Sequence, residues 1–293
     1  MIRLAIRVHR ADAELVLAEL LELAPSGVEE SDLPDGVVEY AIYGAPGELP
    51  VLPDLRAASG EALVEIATSE IPDDWSERWR EFHRPVTVES PVPERVSSLR
   101  VRAPWASPSD RVDLHEIAID PGQAFGTGSH ASTRLCLELL LALTCGAGAD
   151  AGDQPTGLID LGCGSGVLAI AAAALGYEPV LALDYDQRSV TATAQNAAVN
   201  GIQIDVRRFD LRLDPWPTVD HQTIPVVLAN LLRPLLLDLS NTLHDPPAHL
   251  IMSGLLTNEA DEVGLAFARR LGMSEHERRE QGEWAAVWMR AGS

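Results

Sequence analysis

The stretch Gly162-Cys163-Gly164-Ser165-Gly166 constrains this chain more than any other. The short apolar strand Leu158-Ile159-Asp160-Leu161 runs into three alternating glycines. An alanine-rich segment, Val167 to Leu175, follows and must be buried, and Gly176 bounds it. A second apolar run, Val180 to Leu183, ends in Asp184, about twenty residues after the glycines. The pattern predicts a strand–loop–helix–strand unit. In such a unit, glycines such as Gly162 and Gly164 let a ligand approach the backbone, and Asp184 accepts hydrogen bonds from ribose hydroxyls. A dinucleotide fingerprint keeps its third glycine three residues after the second; here the interval is two, which disfavours a nicotinamide cofactor.

The chain of 293 residues has room for two domains. At 46 % hydrophobic residues it can fill ordinary cores, yet no apolar stretch reaches the eighteen or more residues needed to cross a bilayer. Arg3, Arg7 and Arg10 interrupt any signal-peptide core at the start, and Cys136, Cys145 and Cys163 have neither metal nor disulfide spacing. These features lead us to expect a cytoplasmic protein without a metal. With 44 acids against 22 Lys and Arg, the formal net charge of −22 repels phosphate backbones and disfavours direct binding to duplex nucleic acid. A basic protein or peptide would instead be drawn towards it.

Residues 1–70 read as an α+β domain, with strands at Ile2–Val8, Gly27–Glu30, Gly36–Tyr43 and Ala62–Thr68 and helices at Ala11–Leu23 and Leu49–Ala58. Two helices against four strands suggest a ferredoxin-like arrangement. Residues 71–95 form a connector in which Trp75, Trp79 and Phe82 make one stripe at helical spacing, read as packing residues, and Pro85, Pro91 and Pro93 mark extended chain. From residue 96 to 293 the pattern is α/β, a Rossmann-like domain. Its strands are expected at 99–103, 115–119, 158–161, 179–183, 203–208, 225–229 and 248–253, with a closing hairpin of 273–280 and 284–290. Helices are expected at 131–143, 167–175, 187–199, 232–243 and 257–271.

Two further segments converge on the same rim. Asp120 to His130 carries three glycines and Phe125, and opens a helix whose start bears Ser129, Ser132 and Thr133. Backbone N–H groups at a helix start attract an anion such as a carboxylate, and the missing lysine argues against a nucleoside triphosphate. Phe125 could lie against a cofactor, Thr133 could reach it with its hydroxyl, and Ser129 reads best as a helix cap. The apolar run Val226 to Ala229 ends in Asn230, whose amide offers both a donor and an acceptor.

These pieces together resemble the ribosomal protein L11 methyltransferase family, within the class I S-adenosylmethionine-dependent methyltransferases. Asp120 to Thr133 is similar to that family's D-P-G-x-A-F-G-T-G-x-H-x-T-T, Gly162 to Ala172 to its G-C-G-S-G-x-L-A-I-A-A, and Asp184 and Asp186 to its D-x-D. Ala229-Asn230-Leu231-Leu232 and Ser253-Gly254-Leu255-Leu256 stand for its A-N-I-L and S-G-I-L elements. Departures are Ala131 and Ser132 after the loop histidine, Gln187 after Asp186, and a segment after Asn230 that is one residue shorter and admits Arg233. The resemblance implies S-adenosyl-L-methionine as cofactor and methylation of lysine side chains and an α-amine of ribosomal protein L11. It further implies an N-terminal substrate-recognition domain and a monomer. By the same resemblance Phe125, Thr133, Gly162, Gly164, Asp184 and Asn230 bind the cofactor. Asn230 also positions the amine, and no general base is expected.

A nucleic-acid amino-methyltransferase would often show a proline-proline-aromatic sequence after the asparagine, where this chain has Leu231-Leu232. A small-molecule methyltransferase leaves the N-terminal domain unexplained, and a non-catalytic binding module would be expected to have lost key positions.

Overall fold

The computed structural model describes residues 2–13, 16, 17, 20, 28–44, 49, 50, 55, 62–70, 84–92, 96–120, 128, 130–146, 157–217 and 226–292. The chain divides into two compact units, Met1–Phe82 and His83–Ser293.

The first unit holds one antiparallel sheet of β1 (Ile2–His9), β2 (Glu29–Leu33), β3 (Val37–Gly44) and β4 (Leu63–Glu70), in the order β2-β3-β1-β4. Leu4, Ile6 and Val8 of β1 are buried with Val38, Tyr40 and Ile42 of β3. Helical Ala13, Val16 and Leu20 are buried in the same cluster, as their spacing predicts, and the Tyr40 hydroxyl donates to Ala13 O at 2.8 Å. Strand β2 begins two residues later than the apolar pattern suggests. Among the described residues it lies at an edge and pairs with β3 alone, and its sequence, Glu29 to Leu33, has no apolar alternation. Trp75, Trp79 and Phe82 lie outside the described residues.

In the second unit, β5 (Val86–Val88), β6 (Ser98–Arg102) and β7 (Leu114–Ala118) form a small sheet in which β7 is an edge. Strand β5 falls in chain expected only to be extended; three residues after Pro85 suffice for an edge pairing with β6.

Helix α1 (Ala131–Gly146) precedes the main sheet, which alternates strand and helix as expected. It comprises β8 (Leu158–Leu161), α2 (Val167–Ala174), β9 (Val180–Asp184), α3 (Gln187–Val199), β10 (Asp205–Arg208), β11 (Val226–Asn230), α4 (Arg233–Thr242), β12 (His249–Leu256), α5 (Ala260–Leu271), β13 (Met273–Gln281) and β14 (Trp284–Ala291). The strand order is β10-β9-β8-β11-β12-β14-β13. The first five strands pair in parallel, and the closing hairpin is antiparallel with β14 inserted beside β12. The order reverses between β8 and β11, so loops leaving their carboxyl ends diverge and open a crevice there.

Residue parity sorts the core into two layers. Leu158, Val180, Ala182, Val226, Leu228 and Ile251 face α1 and α2; Ile159, Leu161, Leu181, Val227, Ala229 and Leu250 face α4 and α5. Ala169, Ala171 and Ala172 of α2 are wholly buried, and their small side chains let the helix lie close on the sheet. Among the described residues no helix is long and apolar enough to cross a membrane.

Candidate functional site

The glycine turn after β8 is built by glycines with left-handed backbones, φ 76° at Gly162, 54° at Gly164 and 85° at Gly166. Two of these positions are also closed to a side chain by the protein itself. A Cβ on Gly162 would lie 2.3 Å from Leu231 Cδ2, and one on Gly166 would lie 2.8 Å from Thr193 Cγ2. Glycine at 162 therefore admits Leu231, from the segment that follows β11. On the other flank of β11, Gly254 of β12 has φ 78°, and a Cβ there would lie 2.6 Å from the Leu231 carbonyl oxygen. Leu231 thus sits between the glycine turn that leaves β8 and Gly254 of β12, one residue beyond Asn230.

Asn230 ends β11, partly exposed, and its Nδ2 donates to Thr133 Oγ1 at 3.2 Å. Thr133 is fully buried on the first turn of α1. With its Nδ2 so engaged, Asn230 keeps its Oδ1 as an acceptor. The sequence paired these two residues only as separate candidates; the structure joins them through a hydrogen bond that spans nearly a hundred residues.

Asp184 ends β9, half-buried. Its Oδ2 accepts the Gly164 N–H and its Oδ1 the Asp186 N–H, both at 2.9 Å. Burial raises its pKa from the ordinary aspartate value, while the backbone N–H groups of 164 and 186 oppose that rise. The rotamer is locked, and each oxygen retains a lone pair for a further donor. A carboxylate fixed in this way, beside a turn of positive-φ glycines, suits a ribose diol. Asp186 in turn caps α3, accepting the Arg188 N–H at 2.9 Å, which accounts for helix initiation at Gln187.

Beneath the turn lies a carboxyl that the sequence left in the strand. Asp160 is wholly buried on the α1/α2 side of β8. Its Oδ2 accepts the Ala169 N–H at 3.0 Å, capping α2 in place of Gly166, which has no side chain to do so. Its Oδ1 has no hydrogen-bond partner among the described residues. Burial pushes its pKa up to about 7, with the Ala169 bond opposing and Asp184 adding to the rise. Between roughly pH 4, where an unfolded aspartate titrates, and pH 7, the folded chain holds a proton that the unfolded chain has lost. Asp160 therefore stabilises the fold most at acid pH, and that contribution falls as pH rises through this window. Asp160→Asn keeps the acceptor for Ala169 and removes the titration. Urea unfolding should show the variant gaining on the wild type from pH 5 to pH 8, by at most about 1.4 kcal/mol per pH unit. Parallel pH profiles would show that Asp160 is ionised in the fold throughout.

The departures at 132 and 233 have local explanations. The Ser132 hydroxyl lies 2.7 Å from His130 Nδ1, and the His130 ring meets Trp284 edge-on at 4.6 Å. Arg233 opens α4 and holds Glu262 of α5 through two hydrogen bonds of 2.7 Å. Phe125 and Ser129 lie outside the described residues.

The sheet order and the acid-anchored glycine turn define a class I methyltransferase. The family model described as ribosomal protein L11 methyltransferase matches residues 54–291. A ribosomal protein L11 methyltransferase of Syntrophotalea carbinolica is 32 % identical over 98 % of this chain and 96 % of its own length. Another, of Bordetella bronchiseptica, is 33 % identical over 97 % of each. Among solved structures, a ribosomal protein L11 methylase of Lactobacillus delbrueckii subsp. bulgaricus matches with a TM-score of 0.54 and 30 % identity, over 66 % of this chain and 95 % of that one. The chain belongs to the ribosomal protein L11 methyltransferase family.

Proposed function

We propose that this protein transfers methyl groups from S-adenosyl-L-methionine to lysine side chains, an N-terminal α-amine, or both, of ribosomal protein L11. The observation that carries the cofactor assignment is Asp184, held by the N–H groups of Gly164 and Asp186 at the carboxyl end of β9. The substrate assignment rests on family membership, and the formal charge of −22 suits a basic protein target. We assign substrate recognition to residues 1–70, a connector to 71–95 and catalysis to 96–293, in a cytoplasmic monomer.

In this reading Asp184 accepts the ribose hydroxyls and the turn of Gly162 and Gly164 lies along the cofactor. Phe125 borders its methionine end, and Thr133 serves there through Asn230. The cofactor supplies an activated methyl on a sulfonium. The chain's own work is alignment and exclusion of water. The attacking amine must be neutral, against reference pKa values of roughly 8 for an α-amine and about 10.4 for lysine. Desolvation at the rim favours the neutral form, and Asn230 Oδ1 accepts one amine N–H, turning the nitrogen lone pair towards the methyl. The proton leaves the product ammonium to solvent, so no dedicated base is required.

The test is transfer of radiolabelled methyl from S-adenosylmethionine to purified L11 and to total ribosomal protein. Label on L11 supports the reading. Cofactor binding with label only on other basic proteins keeps the chemistry and replaces the substrate. Failure to bind cofactor removes both.

A further inference from the structure

Helix α3 presents polar side chains where a helix packed on a sheet normally presents apolar ones. Thr193, Asn196 and Asn200 fall at i, i+3 and i+7, on one face. Thr193 is wholly buried and Asn196 is 2 % exposed. Their partners are backbone groups of two separate segments. Thr193 Oγ1 donates to Gly164 O at 3.0 Å, and Asn196 Nδ2 donates to Ser165 O at 2.8 Å, both in the glycine turn. Asn196 Oδ1 accepts the Asp120 N–H at 3.0 Å, two residues beyond the end of β7. One turn on, Asn200 Oδ1 accepts the Ala118 N–H and Nδ2 donates to Ala118 O, each at 2.7 Å.

The orientation of the Asn196 amide is forced. A backbone N–H can only donate and a backbone carbonyl only accepts, so oxygen must face Asp120 and nitrogen Ser165. An amide satisfies both at once, one with its oxygen and the other with its nitrogen. Asparagine costs helix propensity relative to alanine, and burying an amide is unfavourable unless both ends are paired. Asn200 meanwhile pairs with the open edge of β7 much as a neighbouring strand's peptide would, fixing the residues that lead into Asp120.

We propose that Asn196 is a positioning residue for the cofactor site: its single side-chain amide ties the glycine turn and Asp120 to α3, and so holds in place the turn along which the cofactor lies. The inference rests on the methyltransferase reading above. It makes cofactor affinity sensitive to a side chain that does not itself touch the cofactor. Thr193 holds the glycine turn and Asn200 holds Ala118, and Asn196 binds the turn and Asp120 through one side chain.

The experiment compares Asn196→Asp, Asn196→Ala and the wild type in full-length protein. The probe is S-adenosylhomocysteine binding by calorimetry, with kcat at saturating S-adenosylmethionine and the thermal midpoint measured beside it. Asn196→Asp keeps the acceptor for Asp120 but turns a carboxylate oxygen towards the Ser165 carbonyl, so it breaks one arm of the bridge. We expect Kd to rise about tenfold in both variants, the scale of one or two lost buried hydrogen bonds. Turnover at saturation should stay within about threefold, because bound cofactor restores the turn. A role confined to global stability lowers the thermal midpoint and leaves the Kd of the folded protein unchanged. A Kd within about twofold of wild type in folded Asn196→Asp overturns the proposal. If Asn196→Asp or Asn196→Ala does not fold, Asn196→Ser, whose hydroxyl is too short to span both partners, is read by the same criterion. If wild type itself binds no S-adenosylhomocysteine, the methyltransferase reading fails and the inference falls with it; binding by wild type with unchanged Kd in the variants defeats the inference alone.

Discussion

Asp184→Ala should weaken S-adenosylmethionine binding by about tenfold or more, the scale of losing charge-assisted hydrogen bonds to a ribose. The loss has two parts. The carboxylate oxygens proposed to meet the hydroxyls disappear, and the N–H groups of Gly164 and Asp186 lose the acceptor that holds them at 2.9 Å. Asp184→Asn separates the parts: it keeps one acceptor oxygen but places an amide donor against one of the two N–H groups. Titration calorimetry of both variants is the measurement. Unchanged affinity in Asp184→Ala would overturn the ribose assignment.

Asn230→Ala should reduce turnover by roughly ten- to a hundredfold while cofactor affinity falls much less, the pattern of a group that aligns a nucleophile. Asn230 Nδ2 is tied to Thr133, so truncation removes the acceptor for the amine and loosens the contact between β11 and α1. Thr133→Val removes the tether and leaves Asn230 present. It should produce a smaller fall in turnover of the same kind. Equal losses of turnover and affinity in Asn230→Ala would make Asn230 a cofactor residue instead. Single-turnover kinetics with saturating cofactor distinguish these outcomes.

Much of this architecture is legible in the residues because burial follows strict parity. The runs at 158–161, 180–183 and 226–229 are apolar at every position but Asp160, as strands covered on both faces must be. Gly176 and Gly201, both with positive φ, end the helical stretches that begin at Val167 and Gln187. Edge strands are less legible. Residues 29–33 and 86–88 pair on one side only and carry no obligatory pattern. The candidate residues can be picked out of the sequence, but the contacts among them cannot. Asp184 and Asn230 stand out at strand ends, but nothing local says that Asn230 binds Thr133, or that the 193/196/200 face of α3 is turned inward. A polar stripe at helical spacing ordinarily faces water; here backbone groups of two loops supply what water would.

The seating of Leu231 between Gly162 and Gly254 carries a consequence for how sequences of this kind can diverge. These three positions are far apart in the chain and lie on three adjacent strands or their exits, yet neither glycine can gain a side chain without a shift at 231. A side chain at 162 must displace the end of the Leu231 side chain, and one at 254 must displace the Leu231 backbone. Drift at these sites is therefore coupled: where a relative has lost the glycine at 162 the side chain in the place of Leu231 should differ or turn aside, and where it has lost the one at 254 the path of that backbone should differ.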